Sequence, residues 1–181
     1  MNNLLLSLAK DSIHDELTHH NTINKDLLIK EYPLLKEARA TFVTLTLHGE
    51  LRGCIGSLIP HRALIDDLLD NAKSAAFKDP RFLPLTPEEF SKIEIEISLL
   101  TIPQDIEYTD YNDLKSKIRP LEDGVILSLY GNQSTFLPQV WEQLPDFDSF
   151  FNHLCQKAGC LATCLNEHPQ IQTYQVEKIT Q

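Results

Sequence analysis

Thr41-Phe42-Val43-Thr44-Leu45-Thr46-Leu47, His48-Gly49-Glu50 and Leu51-Arg52-Gly53-Cys54-Ile55-Gly56 follow one another without a break. The first stretch is rich in β-branched residues and reads as a strand, the triplet as a turn, and Leu51 to Leu58 as the returning strand. Partners this close in sequence pair antiparallel. Gly53 and Gly56 make the second strand irregular and predict a bulge, or an early exit into a loop, near Cys54.

Outward from this hairpin, Pro60 ends the strand. From His61 to Lys78, Leu64, Ile65, Leu68, Leu69, Ala72, Ala75 and Ala76 recur at helical spacing, with Asp66, Asp67, Asp70 and Lys73 on the opposite face. Asp79-Pro80-Arg81-Phe82 stops that helix, because proline disfavours helical geometry in the residue before it. Thr86-Pro87-Glu88-Glu89 forms a capping box that opens a short helix. Ile93, Ile95, Ile97 and Leu99 then alternate with Glu94, Glu96 and Ser98, a strand with one buried and one polar face.

Upstream, Leu4, Leu5, Leu8, Ile13 and Leu17 predict a helix over about residues 3–18, followed by a loop broken by Pro33. Downstream come a short helix from Asp110 to Ile118 and a hairpin of Val125–Tyr130 with Thr135–Val140. Pro138 places that second strand at a sheet edge or marks a bulge. A helix capped by Asp146 or Asp148 ends at Gly159, and a closing strand runs from Ile171 to Ile179. The order predicts an α+β fold, mainly antiparallel sheet flanked by helices, in a single domain over 1–181 with room for two lobes.

The 181 residues carry a formal net charge of −10, which repels phosphate backbones and argues against nucleic acid as a partner. No stretch approaches the roughly 20 apolar residues of a membrane span. The N-terminus reads as an amphipathic helix rather than an export signal, so the expected location is the cytoplasm, with all four cysteines as reduced thiols. Cys155, Cys160 and Cys164 lack Cys-x-x-Cys spacing and read as ordinary buried thiols. Neither a metal-ligand motif nor a dinucleotide or Walker loop occurs, and no cofactor is indicated.

Cys54 is the candidate catalytic residue: a thiol between two glycines, with Arg52 two residues before it to favour the thiolate. Gly53 and Gly56 permit positive φ or close approach, and the amides of the run Gly53-Cys54-Ile55-Gly56 could form a small anion nest. Asp79 and Arg81 read either as a structural turn, with Arg81 paired to Glu94 or Glu96, or as an anchor for a small anionic ligand. Gln139 is a further candidate for orienting a ligand. His48 and His61 are the histidines that could approach Cys54 as a base.

Leu51-Arg52-Gly53-Cys54-Ile55-Gly56 is the hallmark of the AmmeMemoRadiSam system protein A family, also called the AMMECR family, which this chain resembles. Phe42-Val43-Thr44-Leu45 and Ala75-Ala76-Phe77-Lys78-Asp79-Pro80-Arg81-Phe82 carry the resemblance further. So do Ile97-Ser98-Leu99-Leu100, Asp123-Gly124-Val125, Leu137-Pro138-Gln139-Val140 and Lys157-Ala158-Gly159. It covers about residues 38–179 and implies a larger and a smaller lobe with the hallmark near a cleft between them. It also implies association with a Memo-like protein and a radical-SAM protein, but no settled reaction. Two functions are therefore expected: a thiol-dependent enzyme or modifying factor acting through Cys54, or a non-catalytic scaffold for those partners.

Overall fold

A computed structural model describes residues 1–180. The chain divides into two compact units, residues 1–100 with the C-terminal segment from 177, and residues 101–176.

The first unit holds α1 (Asn2–Thr18), α2 (Lys25–Glu31), β1 (Thr41–Leu47), β2 (Glu50–Gly56), α3 (Leu64–Phe77), α4 (Pro87–Phe90) and β3 (Ile93–Leu100). Its sheet runs β2-β1-β3-β8, with β8 at Val176–Thr180. β1 is antiparallel to both β2 and β3. Leu5, Leu8, Ala9 and Ile13 of α1 and Leu64, Leu68 and Ala72 of α3 share one core with Val43, Leu45, Ile95 and Ile97 of the sheet. Burial alternates along most of β1: Thr41, Val43 and Leu45 are buried, while Phe42, Thr44, Thr46 and Leu47 are half-buried.

Ahead of β1, the stretch expected to be a loop contains α2 and a 3₁₀ turn at Pro33–Lys36. Asn24 caps α2 through its side chain, accepting from the Leu27 N–H at 3.1 Å. With no residue of α2 fully buried, its seven residues give too weak an apolar stripe to stand out in the sequence.

The second unit holds β4 (Gln104–Ile106), α5 (Tyr111–Lys117), β5 (Gly124–Leu129), β6 (Asn132–Phe136), α6 (Val140–Gln143), α7 (Phe147–Lys157) and β7 (Gln170–Tyr174). Its sheet runs β4-β7-β5-β6 in antiparallel pairs. The core is aromatic, with Trp141 stacked on Phe150 at 3.6 Å between ring centroids. Asp146 caps α7, accepting from the Ser149 N–H at 2.9 Å, and Gly159 follows that helix at φ +77°.

Three expectations change here. β6 is an edge strand but ends at Phe136, and Pro138 lies beyond it in the turn leading to α6. The closing strand is two strands, β7 and β8, in different sheets; Gln175 separates them, its N–H and C=O both bonded to Thr101. Cys155 and Cys164 are joined in a disulfide instead of standing as separate thiols. Gly159 turns the chain back after α7, and the 3₁₀ turn at Cys164–Glu167 leaves the two Cα atoms 5.8 Å apart, a normal bridging distance.

Candidate functional site

The hairpin register decides what Cys54 faces. Next to the turn, Leu47 pairs with Glu50 and Thr46 with Leu51, but Leu45 then pairs with Gly53 and Thr44 with Cys54. Arg52 is the extra residue of a β-bulge. An unbroken register would have set Cys54 opposite Val43, on the face buried under α3. The bulge moves it to the other face, beside Thr44, and turns Gly53 inward.

Gly53 is a glycine for steric reasons. It has no positive φ, and a Cβ built on it would lie 2.1 Å from the Ala75 carbonyl oxygen of α3. Gly56 is hemmed in similarly by the Phe42 ring and the Thr41 carbonyl. Of the two roles expected for these glycines, the structure uses close approach.

Cys54 is half-buried, and the Thr44 hydroxyl donates to its Sγ at 3.3 Å. β2 is the sheet edge, so the Cys54 peptide groups pointing away from β1 need partners. Asp79 Oδ2 accepts from the Cys54 N–H at 2.9 Å, and Arg81 donates to the Cys54 carbonyl at 3.3 Å. Arg81 also grips Asp79, with Nε to Oδ1 at 2.9 Å and the other nitrogen to Oδ2 at 2.6 Å. The Asp79–Arg81 ion pair thus stands in for a neighbouring strand at one residue, Cys54.

Asp79 is buried, whereas the Arg81 side chain is 53% exposed. The Arg81 hydrogen bonds, reinforced by the Cys54 and Arg81 amides, hold the Asp79 carboxyl well below the usual carboxylate range against the opposing effect of burial. The Asp79 hydrogen bonds push Arg81 above its ordinary value against its own desolvation, and the charges of Asp79 and of a Cys54 thiolate add to that. Phe82 follows, with the guanidinium carbons of Arg81 and Arg52 at 5.5 and 5.8 Å from its ring centroid.

Arg52 turns to α4. It makes a two-pronged contact with Glu89, at 2.9 and 3.0 Å, and donates to the Leu83 carbonyl at 2.9 Å. Glu89 also closes the capping box with Thr86. Together these partners, Arg52 foremost, pull the Glu89 carboxyl down to about 2. Arg52 therefore ties β2 to α4 and to the segment after α3, while Arg81 is the cation beside Cys54.

The Cys54 N–H is occupied by Asp79, so it is not free for an anion nest. Arg81 pairs with Asp79 rather than with Glu94 or Glu96; Glu96 has Lys178 at 3.7 Å. His48 is exposed at the turn with φ +56°, and His61 contacts the Ile59 carbonyl. Among the described residues no histidine or carboxylate is hydrogen-bonded to Cys54 Sγ. Gln139 belongs to the second unit, exposed at the start of α6, where its carbonyl accepts from Glu142. The described residues include no group of three or more His, Cys, Asp or Glu arranged to hold a metal ion, and no helix long and apolar enough to cross a membrane.

Residues that sequence reasoning passed over are Thr44, Glu89 and Asp67. Asp67, fully buried on α3, accepts from the Thr41 N–H and hydroxyl, the Ser57 hydroxyl, Asn71 and Arg62. It anchors both ends of the hairpin to α3. Asp67 is the fourth residue of α3, and beside Asp66 and Asp70 it reads as one more acid of the polar face, with no local signal of burial.

Residues 6–179 match the AMMECR1 family model. The chain belongs to the AMMECR1 family. The match begins well before residue 38, so α1 is part of the family domain. A protein of Methanothermobacter thermautotrophicus is 35% identical over 175 residues, covering 96% of this chain and 89% of that one. Protein Mbar_A1807 of Methanosarcina barkeri is 42% identical over 158 residues, covering 86% and 78%. The crystal structure of the uncharacterized protein PH0010 from Pyrococcus horikoshii is similar to this AMMECR1 chain with a TM-score of 0.79 and 32% identity, over 97% of this chain and 88% of the other. That likeness agrees with the α+β assignment.

Proposed function

We propose that this AMMECR1 protein is a thiol-dependent enzyme or modifying factor in which Cys54 is the reactive group and Arg81 the cation that draws a small anionic reactant to it. The observation that carries this reading is the clamp at Cys54. A buried carboxylate and a half-exposed guanidinium fix the peptide groups of this one residue, leaving Sγ on the open face with a hydroxyl donor. Thr44 stabilises negative charge on sulfur, and Asp79 positions Arg81. Arg52 and Gly53 position the strand, and Gly56 continues it under Phe42.

Two alkylating agents of the same shape test the role of Arg81. Iodoacetate carries a negative charge and iodoacetamide does not, and peptide mass analysis reads the rates at Cys54 and, as an internal reference, at Cys160. A unit charge about 4 Å from a reacting anion in a water-like medium contributes about 1 kcal/mol; Asp79, paired to Arg81 at 2.6 Å, offsets part of it, which leaves a factor of about 2–5 in relative rate. Cys54 is expected to favour iodoacetate over iodoacetamide, relative to Cys160, by about that factor. Arg81→Gln abolishes the preference and Arg81→Lys retains it. An unchanged preference in Arg81→Gln overturns the assignment.

The alternative is a non-catalytic binding module for a Memo-like or radical-SAM partner. It is favoured by the engagement of both guanidinium groups in intramolecular ion pairs and by the lack of a base bonded to Sγ. On that reading Cys54→Ser leaves partner capture and an in vivo phenotype intact; on the thiol reading it abolishes the phenotype with little change in Tm.

A further inference from the structure

The second unit carries sulfur chemistry that the Cys54 site does not use. Cys155 and Cys164 are joined, and both are essentially inaccessible, at 0% and 2% exposure. A soluble thiol must reach one of these sulfurs along the S–S axis to reduce the bond, and neither offers an approach from solvent. Cys160 lies inside the loop that the bond closes. It is a free thiol, partly exposed, and it packs against the same apolar cluster that contains Cys155 and Cys164. Its N–H is bonded to the Cys155 carbonyl at 3.0 Å. The loop around it turns at Gly159, at φ +77°, and faces solvent, with Leu161 79% exposed.

We propose that Cys155, Cys160 and Cys164 form a thiol–disulfide relay in which Cys160 is the exchange site for a soluble thiol reductant. In the first step the Cys160 thiolate attacks one sulfur of the Cys155–Cys164 bond. A new S–S bond forms to Cys160, the old one breaks, and the departing sulfur leaves as a thiolate that takes up the proton Cys160 gave up. No electrons enter or leave. In the second step a soluble dithiol attacks the new disulfide at the accessible Cys160 sulfur, forms a mixed disulfide and then closes on itself. The protein bond gains two electrons and the dithiol loses them. Reduction releases the segment from Gly159 to Glu167 from its covalent tie to α7.

The inference does not depend on the Cys54 reading. A thiol tethered this close acts at an effective concentration on the order of millimolar. Internal exchange is therefore fast beside attack by dithiothreitol at about 0.1 mM. The bimolecular step on the partly exposed Cys160 sulfur sets the rate, and the access gained there speeds reduction on the order of tenfold.

The test is timed reduction of the full chain, quenched in acid, with freed thiols alkylated and counted by intact mass. Cys160→Ser is expected to lose the disulfide about tenfold more slowly than the parent, and Cys54→Ser at the parent rate. In denaturant all three converge, because unfolding exposes the buried sulfurs. Trypsin cutting after Lys157 separates Cys155 from the peptide that holds Cys160 and Cys164. A parent sample held at pH 8 without reductant should then yield a fraction with Cys160 in the bond. Equal rates for the parent and Cys160→Ser, a slowed Cys54→Ser, or purified protein with all four thiols free after air exposure would each overturn the relay.

Discussion

Gly53→Ala tests whether the hallmark glycine is there for close approach. The added methyl would sit 2.1 Å from the Ala75 carbonyl oxygen and 3.1 Å from its carbon, against an ordinary contact of 3.4 Å or more. The obstacle is helix backbone, so no rotamer change relieves it, and β2 must move from α3 by more than an ångström. Forced overpacking of this kind costs about 1–3 kcal/mol, and the rigid neighbour puts this case near about 3 kcal/mol. For a chain of this size that corresponds to about 6–12 °C in Tm. Gly49→Ala is the matched comparison: Gly49 has φ +83° with nothing within 4 Å, so its cost is backbone strain alone, about 1–2 kcal/mol. Calorimetry and urea unfolding by far-UV circular dichroism measure both. Trp141 fluorescence follows the second unit separately, where neither substitution lies. A Gly53→Ala protein within about 0.5 kcal/mol of the parent, or one less affected than Gly49→Ala, would refute the steric account.

Other substitutions probe the supports of the hairpin and of the second unit. Asp67→Ala strips five donors of their shared buried acceptor and should cost about 3–5 kcal/mol in urea unfolding. Glu89 titrates at about 2 in the folded chain against 4.5 ordinarily. Its depressed value stabilises the fold above pH 4.5, and that contribution is lost as pH falls from 4.5 towards 2. The stability gap between the parent and Glu89→Gln should therefore narrow over this window, as read by urea midpoints at each pH, while a constant gap would contradict the Arg52–Glu89 pairing. Asp146→Ala removes the cap of α7 and should cost about 1 kcal/mol, with the loss seen in Trp141 fluorescence.

Much of the architecture was legible because it is written locally. A seven-residue β-branched run, the Ile–Glu alternation of β3, the apolar stripe of α3 and the Thr86 capping box each express a period or a cap within a few residues, and each is found where expected. The segment from Ile171 to Ile179 shows where that ends. Its apolar pattern fits one strand, yet the break at Gln175 comes from pairing with Thr101, 74 residues away. α2 escaped notice because most of its surface stays wet. The candidate site divides in the same way. Cys54, Asp79 and Arg81 could be singled out as residue types, but their joining at one peptide group could not.

The sequence by itself determined an α+β chain with antiparallel hairpins, its main helices and their caps, and a thiol set between glycines beside a cation. These follow from side-chain periodicity and backbone preference, which act over one or two turns of chain. Only the tertiary structure decided which face Cys54 occupies, because a one-residue bulge at Arg52 inverts the alternation beyond it. It also decided which arginine stands beside the thiol and which cysteines join. Those outcomes depend on where α3, α4 and the 159–167 turn bring distant groups, and an unfolded sequence carries no distances.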